Sequence, residues 1–161
     1  FIDGTDNILV SDIKLTKNRS KMLFHTQNNW INNGVKNEKV VRLDHLKKKH
    51  QLSNIYRIDN PNLFNKRNYF QFYKYKMAVI DNKTVLPTTN NQINLDLIIL
   101  TKNCQLNLEE VTNKFNPKQI IIDASNSNYN RERWLSEASI NSVEIFDITE
   151  KGAFSLTLSD N

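Results

Sequence analysis

At 161 residues, with 39% hydrophobic and 24% charged side chains, the chain can bury one sizeable core but not two, and its composition excludes disordered and collagen-like classes. No apolar run approaches the roughly 18 residues of a membrane-spanning helix, and a single cysteine, Cys104, excludes an internal disulfide or a Cys-based zinc cluster within one chain. The formal charge of +5 makes polyanions candidate partners through counterion release.

The chain opens on Phe1-Ile2-Asp3-Gly4, which reads as the middle of a strand and its turn, so the expectation is one domain, residues 1–161, cut from a longer protein. Ile8-Leu9-Val10 predicts a strand. From Ser20 a helical pattern places Leu23, Phe24, Trp30 and Ile31 on a core stripe, and Asn33-Gly34 supplies a left-handed stop. His25 lies beside that stripe as a packed or capped histidine. Val40-Val41-Arg42-Leu43 predicts a short strand. His45-Leu46-Lys47-Lys48-Lys49-His50 follows, and its His spacing does not match a helical i, i+4 metal pair. This stretch reads as a solvated basic loop, with phosphate contact through the lysines as the sharper alternative.

Tyr69 to Ile80 predicts a hairpin turning near Tyr73-Lys74-Tyr75-Lys76. The alternation of Tyr69, Gln71, Tyr73 and Tyr75 against Phe70 and Phe72 suits a strand with one core face, while interleaved aromatic and basic residues also suit stacking of single-stranded bases. Leu95-Asp96-Leu97-Ile98-Ile99-Leu100 and Ile120-Ile121-Ile122-Asp123 predict strands covered on both faces. Between them Asn107-Leu108-Glu109-Glu110 reads as a capping box opening a helix with Leu108, Val111 and Phe115 on one face, stopped by Asn116-Pro117. Cys104, just past the first of these strands, reads as a packing residue rather than a nucleophile. After the loop Ala124 to Asn128, a third helix carries Trp134, Leu135 and Ala138 inward and Arg131, Glu132 and Arg133 outward. Val143 to Ile148 and Gly152 to Leu158 close the chain as strands joined by Thr149-Glu150-Lys151. The expected architecture is α/β, and in such sheets ligands sit at the carboxyl ends of strands, here Thr101-Lys102-Asn103.

Pro117 to Asp123 with its Ser/Asn loop, Arg133-Trp134, and Glu150-Lys151-Gly152-Ala153-Phe154 together resemble the C-terminal part of ComEC-family competence proteins. More loosely, Phe1 to Asp12 resembles that family's early strand hairpin and Ser20 to Val35 its helix ending in Gly. The resemblance implies a metallo-β-lactamase-like αββα sandwich, of α+β class, inside a large membrane protein that imports transforming DNA. Zinc-bearing members of that family carry a His-x-His-x-Asp-His run where this chain has Val40 to His45, a His-His-Gly where it has Thr101-Lys102-Asn103, and a further His where it has Ser125 to Tyr129. Asp44, His45, Thr101, Lys102, Asn103 and Ser125 therefore mark the positions of lost metal ligands, and the expectation is a shortened domain with no metal and no cofactor.

Three functional readings follow. The first is a non-catalytic module of a DNA-uptake protein, meeting either incoming single- or double-stranded DNA through Lys47, Lys48, Lys49, Lys74, Lys76 and Lys102 or the membrane-embedded portion of its parent. The second is a purely structural or protein-contact domain. The third is an atypical metal-dependent phosphodiesterase built from Asp44, His45, Asp96 and Asp123. The resemblance places the parent in the cytoplasmic membrane and this part, soluble, on the outer, periplasmic side.

Overall fold

The computed structural model describes residues 6–11, 13–42, 56–57, 63–141 and 143–157. The chain divides into two compact units, Phe1–Tyr56 and Arg57–Asn161. Asp44, His45, Lys47, Lys48, Lys49 and His50, and the side chain of His25, lie outside what is described.

The first unit runs β1 (Asp6–Ser11), α1 (Ile13–Thr16), α2 (Arg19–Met22), a π-helical turn (Leu23–Gln27), α3 (Asn28–Asn32) and β2 (Asn37–Arg42). β1 and β2 pair in parallel, Asp6 opposite Asn37 and Ser11 opposite Arg42. A parallel partner requires the helical crossover found between the two strands; the first arm and turn of the expected hairpin, residues 1–5, lie outside the described residues. The Asn18 carboxamide caps α2 by accepting the Lys21 N–H at 2.9 Å. Gly34, at φ 64°, closes α3 as anticipated, its N–H donating to the Ile31 carbonyl and the Val35 N–H to the Trp30 carbonyl, the pair of bonds of a Schellman cap.

The core stripe expected on this helix is not buried: Leu23, Phe24 and Ile31 are exposed, and Trp30 is half-buried. A π turn over Leu23–Gln27 interrupts the α-helical winding, so the 3.6-residue period assumed for the stripe does not hold between Phe24 and Ile31.

The second unit is built on a sheet ordered β3-β4-β5-β6-β7-β8-β9. Its strands are β4 (Leu63–Lys66), β5 (Tyr69–Phe72), β6 (Tyr75–Ile80), β7 (Ile93–Leu100), β8 (Phe115–Ile122) and β9 (Ile145–Asp147), while the two-residue β3 (Tyr56–Arg57) consists of the boundary residues of the two units. β4, β5 and β6 form an antiparallel meander, and β6 through β9 run parallel. The turn at Tyr73-Lys74 is where the sequence places it, with Tyr73 at φ 51°. The parallel crossovers carry α4 (Leu108–Lys114) between β7 and β8 and α5 (Asn128–Asn141) between β8 and β9; α6 (Ile148–Lys151) follows β9. This mixed architecture agrees with the expected α/β class and is compatible with an α+β metallo-β-lactamase-like fold.

The core lies between the sheet and α4 and α5, drawing Ala78, Ile80, Ile98, Leu100, Ile120, Ile122 and Ile145 from the strands and Leu108, Val111, Trp134 and Ala138 from the helices. Ile121 is also buried, so both faces of β8 are covered at its end, as its unbroken apolar run predicts. The capping box at α4 is formed: the Glu110 N–H donates to Asn107 Oδ1 at 2.7 Å and the Asn107 N–H to Glu110 Oε2 at 2.8 Å. Glu137 of α5 takes the Leu108 N–H at 2.7 Å, so a second orphan donor of that terminus is satisfied from the neighbouring helix. Asn116-Pro117 does not interrupt the structure but lies inside β8, pairing with Asn94 and Leu95. Proline is tolerated there because β9 flanks β8 only from Ile120 onward, leaving that part of β8 without a partner strand on the β9 side.

Two expectations about the tail fail. Arg131, expected outward, is buried against Asp147, since a carboxylate at the end of a covered strand requires a cation. Thr149 to Lys151 forms a helical turn, capped by Asp147 Oδ1 accepting the Thr149 N–H at 2.8 Å, and residues 152–157 form no strand. Alternation alone cannot supply a pairing partner; the Phe154 ring instead packs edge-on against Phe146, centroids 5.1 Å apart.

Candidate functional site

The four parallel strands end level with one another. β6 runs out at Asp81, β7 at Thr101, β8 at Asp123 and β9 at Asp147, each directly after an apolar residue. Here the fold brings together the distant segments 101–103 and 123–130. The Thr101 and Ser125 hydroxyls are 3.0 Å apart, and the Lys102 N–H donates to Ser125 Oγ at 2.8 Å. The Asn103 N–H donates to Asn126 Oδ1 at 2.9 Å, and the Ser127 N–H returns to Asn103 Oδ1 at 2.7 Å. Asn126 is the hub: buried, its amide also donates to the carbonyls of Leu100 and Asp123, both at 2.8 Å.

This geometry has a local backbone cause. Lys102 and Asn103 both take φ of 53°, a left-handed conformation that turns β7 sharply at its end and aims consecutive N–H groups at the 125–127 loop. Asn tolerates this conformation well and Lys less so. Thr101, Lys102, Asn103 and Ser125, expected from the sequence to mark lost ligand positions, are thus assembled in one place, Thr101 and Lys102 bonded to Ser125 and Asn103 to Asn126 and Ser127. Among the described residues no three His, Cys, Asp or Glu side chains group as metal ligands.

The flanking carboxylates are committed to the scaffold. Asp81 Oδ1 accepts the Lys83 N–H and the Thr84 hydroxyl, and Asp123 Oδ1 accepts the Ser125 N–H. Asp147 Oδ2 receives Arg131 Nε at 2.8 Å and Nη2 at 2.6 Å. Burial pushes the Asp147 carboxyl up, but the Arg131 guanidinium and the Thr149 N–H outweigh it and hold the group below the ordinary carboxylate range. Cys104, buried beside this layer, has its thiol pushed up by desolvation.

The remaining candidates do not converge on this end. Lys74, in the β5–β6 turn, and Lys76, opposite Asp96, are exposed near the start of the parallel strands. Lys102 is exposed at their finish, six residues further along, or roughly 20 Å at the rise of a strand. Asp96 and Asp123 are likewise roughly 16 Å apart along the sheet. Asp96 serves the sheet itself: its Oδ2 accepts the Lys76 backbone N–H at 2.8 Å, and its Oδ1 faces Lys118 Nζ at 2.7 Å. Core-facing positions change parity around this pair, from Ile93, Leu95 and Phe115 before it to Ile98, Leu100 and Ile120 after it. Burial raises the Asp96 carboxyl, yet Lys118 and the Lys76 N–H together hold it below its ordinary value.

Sequence reasoning missed Asn126 and the Arg131–Asp147 pair. For the pair a signal existed: the apolar-then-Asp endings Ile80-Asp81, Ile122-Asp123 and Phe146-Asp147 repeat at three of the four strand termini. For Asn126 there was none, since the abundance of Asn hides one buried hub among many surface copies.

A family described as the ComEC C-terminal domain matches residues 1–158. Comparison with curated proteins and with solved structures finds no match.

Proposed function

The chain belongs to the ComEC C-terminal domain family, and from that premise we propose that it is a non-catalytic module of a DNA-uptake membrane protein. Membership connects the chain with competence and, in general terms, with DNA handling in a membrane-protein context. No helix among the described residues is long and apolar enough to cross a membrane.

The observation that carries the non-catalytic reading is the mutual bonding of Thr101, Lys102, Asn103, Ser125 and Asn126 at the carboxyl ends of β7 and β8. A hydrolytic metal site needs side chains that present lone pairs to a cation and leave a position open for water. Here hydroxyls and carboxamides are spent on each other, and Lys102 brings a positive charge to the same turn. The charge of +5 and the exposed Lys74, Lys76 and Lys102 support contact with the DNA backbone, joined by Lys47, Lys48 and Lys49. The domain meets the membrane-embedded portion of its parent from the outer face of the cytoplasmic membrane.

Fluorescence anisotropy with labelled single- and double-stranded DNA tests this, at low and near-physiological salt. Binding that weakens steeply with salt, with no DNA cleavage when zinc or manganese is added, is the expected result. Absence of binding at both salts leaves a scaffold role, and metal-dependent cleavage overturns the non-catalytic reading.

A further inference from the structure

The helical segment of the first unit combines two features that ordinary surface helices keep apart. From Ile13 to Lys36 it carries Lys14, Lys17, Arg19, Lys21 and Lys36 and neither Asp nor Glu. The same segment exposes large apolar side chains: Phe24 is 78% exposed, Ile31 68% and Leu23 42%, with Trp30 half-buried beside them. Lys17, Arg19 and Lys21 are themselves exposed and lie immediately before the apolar group, on α2 and the turn leading into it. Leu23 and Phe24 lie on the π turn, and Ile31 lies on α3, which follows it.

We propose that this segment docks on an anionic lipid bilayer surface, with Leu23, Phe24 and Ile31 inserted at the headgroup boundary and Lys17, Arg19 and Lys21 against the lipid phosphates. Charge complementarity selects the occupant. A protein partner with an apolar groove would account for the phenylalanine and isoleucine but not for a run of cations without a single acidic residue. A nucleic-acid backbone would account for the cations but gains little from aliphatic Ile31 and Leu23. A bilayer rewards both at once: apolar side chains bury in the boundary, and each nearby basic residue strengthens attachment to anionic lipid about fivefold. The long Lys and Arg stems can lie along the apolar layer with their charges at the phosphates. This proposal uses none of the DNA-contact residues Lys74, Lys76 and Lys102, so either reading can fail without the other.

The test is co-sedimentation of the 161-residue protein with vesicles of phosphatidylcholine alone or with one third phosphatidylglycerol, at low and high salt. Expected is binding at least tenfold tighter to the anionic vesicles and weakened by salt. Phe24→Ser with Ile31→Ser, both at exposed positions, is expected to reduce binding at least tenfold. Lys17→Glu with Lys21→Glu is expected to reduce the anionic preference to near that of neutral vesicles. Circular dichroism matching the parent protein shows that each variant folds. No vesicle binding, or binding unchanged in both variants, overturns the proposal. Loss of DNA binding in the Lys17→Glu, Lys21→Glu variant with vesicle binding intact also overturns it, in favour of a nucleic-acid surface.

Discussion

The Thr101 and Ser125 hydroxyls meet at 3.0 Å across the ends of two parallel strands. The contact belongs to a closed set of hydrogen bonds whose centre is Asn126, and it turns a potential mouth of the sheet into a lock between two loops.

If Asn126 is that centre, Asn126→Ala leaves the Leu100 carbonyl and the Asn103 N–H without their side-chain partner. The expected loss is about 2–4 kcal/mol, two to three buried hydrogen bonds at roughly 1 kcal/mol each plus desolvated groups left unmatched. Ser125→Ala, at an exposed residue, is expected to cost about 1 kcal/mol. Urea unfolding with an unchanged m-value checks both, and equal effects would remove Asn126 from its central place.

The Arg131–Asp147 pair predicts acid sensitivity. Asp147 is held below its ordinary value in the folded chain, so the unfolded chain binds the proton first as pH falls. Its contribution is complete above about pH 4–5 and is lost as pH drops through the folded value. Asp147→Asn is expected to flatten the acid side of the stability profile. Arg131→Met alone, which strands a buried carboxylate, is expected to cost about 3–5 kcal/mol at pH 7. Urea titrations from pH 3 to pH 8 read both.

Because Lys74 and Lys76 sit at the opposite end of the strands from Lys102, a DNA strand touching both regions must run along the sheet. Lys74→Ala with Lys76→Ala, and Lys102→Ala, are expected to weaken binding independently and about additively in free energy. Each lost phosphate contact lowers the slope of log K against log salt by about 0.7 for a single strand. Anisotropy across a salt series measures this, and loss confined to one end shows which region meets the strand.

Cys104, fully buried and with its thiol pushed up by desolvation, is expected to resist an aromatic disulfide reagent at pH 8 in the native protein. It should react once urea unfolds the chain. Rapid native reaction would mean that the layer beneath the 101–107 loop opens readily.

Much of this fold is legible in single stretches of sequence. The apolar runs at Leu95 to Leu100 and Ile120 to Ile122 declared covered strands, Asn107 and Glu110 declared a helix start, and Gly34 a helix stop, because each depends on neighbours a few residues away. Tertiary structure alone decided the rest. Whether Arg131 faces water or Asp147, whether 152–157 pairs as a strand, whether Phe24 is buried, and which of many asparagines becomes a hub depend on what another segment brings alongside. Local sequence sets a residue's preferred backbone and polarity; only packing sets its partner.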